Sequence, residues 1–281
     1  VRTKLILALN EIGLDVEVGH HECALGQHEI DFKFADALKT ADNIQMMKST
    51  VKAIAAQEGI IASFMPKPVF GENGSGMHCH QSLSASDGQN LFFDPNDEMY
   101  LSDMAKYFIA GQLKHAKGMT GILAPCVNSF KRLVPGYEAP VYIGWAQTNR
   151  SALIRVPSTA GKEKASRVEL RCPDPSCNPY LALTVMLAAG LEGIREKVLP
   201  PAPWNNVNVY ELSRKERRKN GIEELPGSLK EALLALEEDT LIRSVLGDKL
   251  FDSYIRGKWE DWDEYRISVS EWEVDRYLET A

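Results

Sequence analysis

The sequence predicts an α+β fold, an open antiparallel sheet backed by helices, and three observations carry that expectation. Short stretches that alternate polar and apolar residues occur at 15–18, 28–34 and 167–171, the pattern of strands with one wet face. Long helical periods separate them, at 36–58, 98–117 and 178–194. Beyond residue 200 the strand pattern stops while helix signals continue to the end. A doubly wound parallel sheet would need strands apolar on both faces, which these are not.

Each element has its own reason. Val1, Leu5, Ala8, Leu9 and Ile12 have helical spacing, ended by Gly13. Because Val1 is not methionine and the helix begins at once, the chain is expected to start inside a larger protein. Strands follow at 15–18 and 28–34. Asp36 is an N-cap for a helix with Ile44, Met47, Val51 and Ile54 on one face, and Gly59 stops it. Residues 60–65 read as a short apolar strand halted by Pro66 and Pro68. A second long helix is expected over 98–117, then a loop over 128–140 punctuated by Pro135, Gly136 and Pro140. Strands are expected at 152–156 and 167–171, after which Pro173, Pro175 and Pro179 break the sheet. Asn178 and Pro179 supply the N-cap and first position of an apolar helix running to Ile194. Ser228 with Glu231 and Ser270 with Glu273 spell capping boxes. The basic run 214–219 reads as a solvated helix face, and Trp259, Trp262 and Trp272 as packing.

Composition narrows the class. The 281 residues are 44% hydrophobic and 25% charged, ordinary for a soluble globular protein large enough for a substantial core. A net charge of -7 argues against a nucleic-acid surface. The five cysteines form no C-x-x-C pair and fit no secreted disulfide framework, so a reducing cytoplasm is expected. No apolar run reaches bilayer length and no signal peptide opens the chain, so neither membrane insertion nor export is expected.

The strongest chemical signal is residues 71–82, a glycine-rich turn that delivers His78 and His80 at period-two spacing, hence on one face of a strand. Imidazole with carboxylates from Glu22, Glu29 and Glu169 is a donor set for a divalent cation, and the glycines let backbone amides approach an anion. In 167–171 the pleat puts Arg167, Glu169 and Arg171 on one face and Val168 and Leu170 in the core. That face reads either as a phosphate-and-metal site or as a surface ion-pair ladder. Glu22 and Glu29 bracket a turn at Gly26 on a wet face that includes Glu17 and His20; alone the pair is ordinary exposed acid. The loop 128–140 reads equally as a solvated hairpin tip or as a substrate loop in which Arg132 holds a carboxylate and Glu138 accepts a proton. Arg150 and Arg155 add cations after it. Cys79 has no base partner, which argues against a nucleophilic cysteine.

Assembled, these strings resemble one family. His20-His21-Glu22 with Gly26-Gln27-His28-Glu29, Met65-Pro66-Lys67-Pro68 leading to Gly74-Ser75-Gly76-Met77-His78-Cys79-His80, the 128–140 loop, and 167–171 followed by Asn178-Pro179-Tyr180-Leu181 are similar to type I glutamine synthetase. Four long motifs stand in the right order, and the helical tail is similar too. The resemblance implies a curved sheet, with 1–281 forming a catalytic domain divided into a sheet and active-site core over 1–200 and a helical region over 201–281. It also implies ATP-dependent joining of ammonia to L-glutamate through γ-glutamyl phosphate, with two or more Mg²⁺ or Mn²⁺ ions.

By the same resemblance, Glu22 and Glu29 hold the first ion, and His78 and Glu169 the second. Asn73 and Gly74 take the amino-acid end of glutamate, with Arg132 and Arg171 on its carboxylates. Arg150 and Arg155 face the transferring phosphate, Glu17, His80, Ser82 and Arg167 place the nucleotide, and Glu138 shields the intermediate and receives a proton from ammonium. The family's N-terminal β-grasp domain is absent from this chain, and with it further site residues, so the isolated segment is expected to be incomplete. The parent is expected to be a dodecamer of two hexameric rings, a partner of a nitrogen-regulatory protein, and to bind neither nucleic acid nor membrane. Two other readings compete: a γ-glutamyl ligase for a larger amine, against which the full flap and Glu138 argue, and a non-catalytic ligand sensor. Tyr210 does not match the family's adenylylation pattern.

Overall fold

Helix α1 (Arg2–Glu11) and the hairpin of β1 (Val16–His21) and β2 (His28–Phe32) open the chain, followed by α2 (Ala37–Gln57). The computed structural model describes residues 1–147, 149, 152–159, 161–205 and 207–280. Within them the order continues with β3 (Cys79–Gln81), α3 (Asp103–Lys114), α4 (Ala116–Leu123), α5 (Ser129–Arg132), β4 (Trp145–Ala146), β5 (Ile154–Arg155) and β6 (Val168–Leu170). Then come α6 (Pro179–Glu196), α7 (Arg214–Lys219), α8 (Leu229–Glu238), α9 (Thr240–Leu246), α10 (Asp248–Ile267) and α11 (Glu271–Tyr277).

The α+β class holds, with the sheet in two pieces among the described residues. β1 and β2 pair antiparallel, and a second sheet has the order β3-β6-β5-β4. Its β4–β5 pair is parallel, whereas β3–β6 and β5–β6 are antiparallel. The first turn of each main helix is satisfied as the sequence suggests: Asp36 accepts from Lys39 N, and Asn178 accepts from Tyr180 N and Leu181 N. Ser270 and Glu273 form a full capping box. Ser228 caps α8, but the Glu231 carboxylate accepts from Gly227 N instead of closing the box. A further full box, Ser213 with Glu216, opens the basic helix α7, which buries none of its residues.

One apolar cluster joins the second sheet to the helices, with Phe92, Phe108, Met119, Leu153, Ile154, Val168, Met186, Leu233, Leu236 and Phe251 all but sealed from solvent. Each such side chain contributes about 1.5–3 kcal/mol by leaving water. α3 and α6 cross backbone to backbone, since a Cβ on Gly111 would lie 2.0 Å from Ala189 O and 2.8 Å from Gly193 N. Gly111 therefore leaves no room for a side chain at that crossing.

Four expectations change. Residues 60–65 form no strand: Ile61 is 95% exposed, and Ser63 Oγ accepts from Met65 N, a local bond that replaces a ladder. The helix expected over 98–117 begins only at Asp103, because the Asp97 carboxylate accepts from Met99 N and Leu101 N and holds that stretch as a turn. It also breaks at His115 into α3 and α4. Within 128–140 the first residues form α5. Trp259 and Trp262 pack against the core, whereas Trp272 is 64% exposed, so its expected packing role does not hold within this chain.

Candidate metal- and anion-binding site

Strand register builds the first half. His20 pairs directly with Glu29 across the hairpin, and Glu22 follows β1 two residues on, so the three share one face. A bulge between Val16 and Val18 leaves Glu17 exposed and out of the ladder. His20 Nε2 lies 3.4 Å from Glu29 and its Nδ1 3.7 Å from Glu22, and one ligand atom from each of the three falls within 4.8 Å of the others. An imidazole with two carboxylates fits Mg²⁺ or Mn²⁺.

Electrostatics agrees. Burial, the hydrogen bond shared with Glu22, and the nearby Asp31 and Glu22 charges push Glu29 up to about 7, while that same hydrogen bond holds Glu22 below the usual carboxylate range. Two carboxylates this close repel when both are ionised, a repulsion that a divalent cation would relieve. His20 was not among the ligands expected from sequence. Its cross-strand partner Glu29 and its i+2 neighbour Glu22 were the signal.

Gln27 ties this hairpin to the glycine-rich turn, donating to Gly74 O at 3.1 Å and Ser75 Oγ at 3.2 Å. Asn73 lies near Cys23 across the same gap. Gly74 has no room for a side chain: a Cβ there would meet Pro66 O at 2.5 Å and the Arg132 Cγ at 2.9 Å. Ser75 N donates to Pro66 O and Met77 N to Pro173 O, which lays the turn across the end of β6.

β3 and β6 build the second half. His80 pairs with Glu169, and Arg155 on β5 pairs with Glu169 from the other side. Glu169 is 2% exposed, ion-paired to the Arg155 guanidinium, 3.2 Å from Arg171 Nε and 3.4 Å from His78 Nδ1. Burial and the charges of Arg171, Arg132, His80 and Arg155 hold His78 well below its ordinary value, which favours a neutral ring. Arg167 Nε donates to His80 Nδ1 at 3.1 Å. The ladder alternative for 167–171 thus gives way to a buried, not a surface, set of ion pairs. Nη1 of Arg171 is buried with no hydrogen-bond partner. Leaving a buried charged donor open is costly, and an anion is a fitting partner for it.

The remaining expected residues fall as follows. Arg132 is 3% exposed and donates to the carbonyls of Cys172, Pro173 and Arg171, so in this arrangement it braces the backbone that carries Arg171. Glu138 is exposed, holds a left-handed backbone at φ 56°, and its charge acts on both Cys23 and Arg171, which puts it over the seam between the two halves. Ser82 is exposed just beyond β3. Arg150 lies outside the described residues.

Fold and site together define a class: an α+β domain whose hairpin offers a divalent-cation cage beside an arginine-lined sheet. The model of the family described as glutamine synthetase, catalytic domain, matches residues 1–277, and the chain belongs to that family. It is 54% identical over 279 residues to the glutamine synthetase of Thermus thermophilus, covering 99% of this chain and 62% of that one. With the glutamine synthetase of Clostridium saccharobutylicum it shares 53% over 277 residues, again 99% and 62%. With that of Methanosarcina mazei it shares 52% over 278 residues, 99% and 61%. A solved chain described as a GmaS/ADP complex superposes with a TM-score of 0.89 at 35% identity, covering 98% of this chain and 63% of that one. The chain thus spans about 62% of the length of the curated relatives it matches.

Proposed function

We propose that the protein containing this chain joins ammonia to the side-chain carboxylate of L-glutamate, consuming ATP and releasing L-glutamine, ADP and phosphate through γ-glutamyl phosphate. The observation that carries the reading is the cage of His20, Glu22 and Glu29 on the hairpin that Gln27 ties to the glycine-rich turn. Membership in the family supports the reaction, and a related chain described in complex with ADP supports an adenine nucleotide as co-substrate.

Glu22 and Glu29 with His20 would hold one Mg²⁺ or Mn²⁺ ion, and His78 with Glu169 would hold a second; when bound, such ions would supply charge neutralisation at the transferring phosphoryl oxygens. The chain's own residues do the rest. Arg155, with Arg150, faces the phosphoryl group as permanently charged donors. Nη1 of Arg171 takes a glutamate carboxylate, with Arg132 adding positive charge beneath it, while Asn73 and Gly74 take the amino-acid end. Glu17, His80, Ser82 and Arg167 line the nucleotide side. Glu138 attracts ammonium, takes a proton from it so that neutral ammonia attacks, and covers the acyl phosphate against water.

The same reading makes the protein a cytoplasmic homo-oligomer, a dodecamer of two hexameric rings, open to a nitrogen-regulatory partner. Exposed apolar side chains such as Phe34 at 96%, Ile61 at 95% and Phe70 at 99% support contact surfaces for other subunits. Among the described residues no helix is long and apolar enough to cross a membrane. Steady-state assays on the full-length protein test the reaction: ammonium, glutamate and ATP are expected to give one glutamine per ADP. Turnover only with larger amines would overturn ammonia as the nucleophile, and nucleotide binding without turnover would favour a sensor.

A further inference from the structure

Lys67 is 8% exposed, and its ammonium has two partners from different segments. Nζ donates to the carbonyl of Glu72, one residue before Asn73 in the glycine-rich turn, and sits 3.6 Å from the centroid of the Tyr137 ring. Its backbone is clipped in place, because Asn128 Oδ1 accepts from Lys67 N at 2.7 Å and Asn128 Nδ2 donates to Lys67 O at 3.0 Å.

Tyr137 lies between Gly136, at φ 94°, and Glu138, at φ 56°. Two left-handed residues around one ring make a kink in which the ring's seat sets where the Glu138 carboxylate points. On the far side, Tyr210 Oη donates to Ala139 O at 3.0 Å and its ring packs edge-on to Tyr142. The loop is therefore pinned at both shoulders, and of these two pins the Lys67 one reaches the turn that holds Asn73. Burial draws the Lys67 ammonium below its ordinary value, yet the Glu72 carbonyl and the ring face keep a cation as the fitting occupant.

We infer that Lys67 is a positioning residue that latches the Glu138 loop, through the face of Tyr137, onto the glycine-rich turn, and so decides whether ammonia or water meets the acyl phosphate. The inference rests on the reaction proposed above. With the latch undone, water adds to the γ-carbonyl carbon, the C–O bond to phosphate breaks, and glutamate, inorganic phosphate and a proton leave. ATP is then consumed without glutamine.

The test uses the full-length protein with Lys67→Met, Lys67→Arg, Tyr137→Leu and Tyr137→Phe, and reads glutamine formed per ADP released together with amide hydrogen exchange over residues 134–140. Lys67→Met and Tyr137→Leu are each expected to lower the glutamine-to-ADP ratio by about tenfold, the scale of a desolvated cation–π contact, and to speed exchange over 134–140. Tyr137→Phe keeps the ring face and the ratio, and Lys67→Arg loses less than Lys67→Met. The double variant Lys67→Met/Tyr137→Leu is expected to be no worse than either single one, because both remove the same contact. Unchanged ratios, additive losses, or unchanged exchange over 134–140 would overturn the latch. If wild type makes no glutamine, the reaction proposed above fails, while the exchange comparison still decides the latch. Should Lys67→Met fail to fold, Tyr137→Leu breaks the contact from the other side.

Discussion

Removing the Glu29 carboxylate changes how many protons a metal ion must displace, and the structure sets the size of that effect. Glu29 is pushed up to about 7 by burial and by Glu22 and Asp31, whereas Glu22 is lowered. A cation needs both carboxylates ionised. With a value near 7, about one molecule in eleven is ready at pH 6 and about ten in eleven at pH 8, so this group alone should lower affinity for Mn²⁺ about tenfold between pH 8 and pH 6. His20, raised above its ordinary value of 6.5 by its backbone hydrogen bond at His21 and by Glu29, Glu22 and Asp31, must also be neutral to ligate. Below its value the slope should steepen toward two protons per ion. In Glu29→Gln only the His20 proton remains, so the slope cannot exceed one, and overall affinity drops with the lost ligand. Calorimetric Mn²⁺ titrations of the full-length protein at pH 6, 7 and 8, in buffers of different ionisation enthalpy, count the released protons directly. Equal proton counts in wild type and Glu29→Gln, or affinity independent of pH, would refute this reasoning.

Other outcomes follow from different parts of the molecule. His115, 8% exposed at the α3–α4 break, is clamped between Asp239 at 2.7 Å and Glu192 at 2.5 Å, with Lys114 also on Glu192. Burial alone would lower its value, but the two carboxylates outweigh it and raise it above 6.5. That stabilisation is complete below pH 6.5 and is lost as pH rises through the folded-state value, so the Tm gap between wild type and His115→Gln should shrink on the alkaline side; a constant gap from pH 6 to pH 9 would contradict the clamp. Gly111→Ala should cost about 3 kcal/mol or more, since its Cβ meets backbone at 2.0 Å, whereas Gly257→Ala, with nothing within 4 Å inside α10, should gain about 1 kcal/mol; denaturant melts of both check the sign reversal. Arg171→Lys replaces the planar fork whose Nη1 is unpartnered, and is expected to raise the KM for glutamate at least about tenfold while leaving that for ATP near wild type; equal effects on both would place the anion elsewhere.

Much of the site was legible before folding because its signals are local. His78, His80, Glu169 and Arg171 could be put on shared faces from the two-residue period, and the ladder pairing His80 with Glu169 bears that geometry out. Asp36, Asn178 and Ser270 could be read as caps because an N-cap is a contact within one turn of chain. Residues 60–65 could not be read as coil: an apolar run says what avoids water, not which partner covers it. Nor could the start of α3, where the Asp97 carboxylate outcompetes helix hydrogen bonding just before the Ser102 cap. His20 was in view as part of a wet strand face, yet its place in the cage depends on a register that a bulge at Val16–Val18 sets.

Residue order alone therefore determined the chemistry on offer, namely carboxylates and imidazoles at strand spacing, paired arginines, a glycine-rich turn and capped helices, because each is a property of a few neighbouring residues. Tertiary structure alone decided how that chemistry is deployed. It turned Arg132 inward onto three carbonyls, left the Nη1 of Arg171 open, pushed Glu29 up against Glu22, and set Lys67 against Tyr137, 70 positions along the chain. Burial and long-range approach set those outcomes, and neither is a function of local sequence.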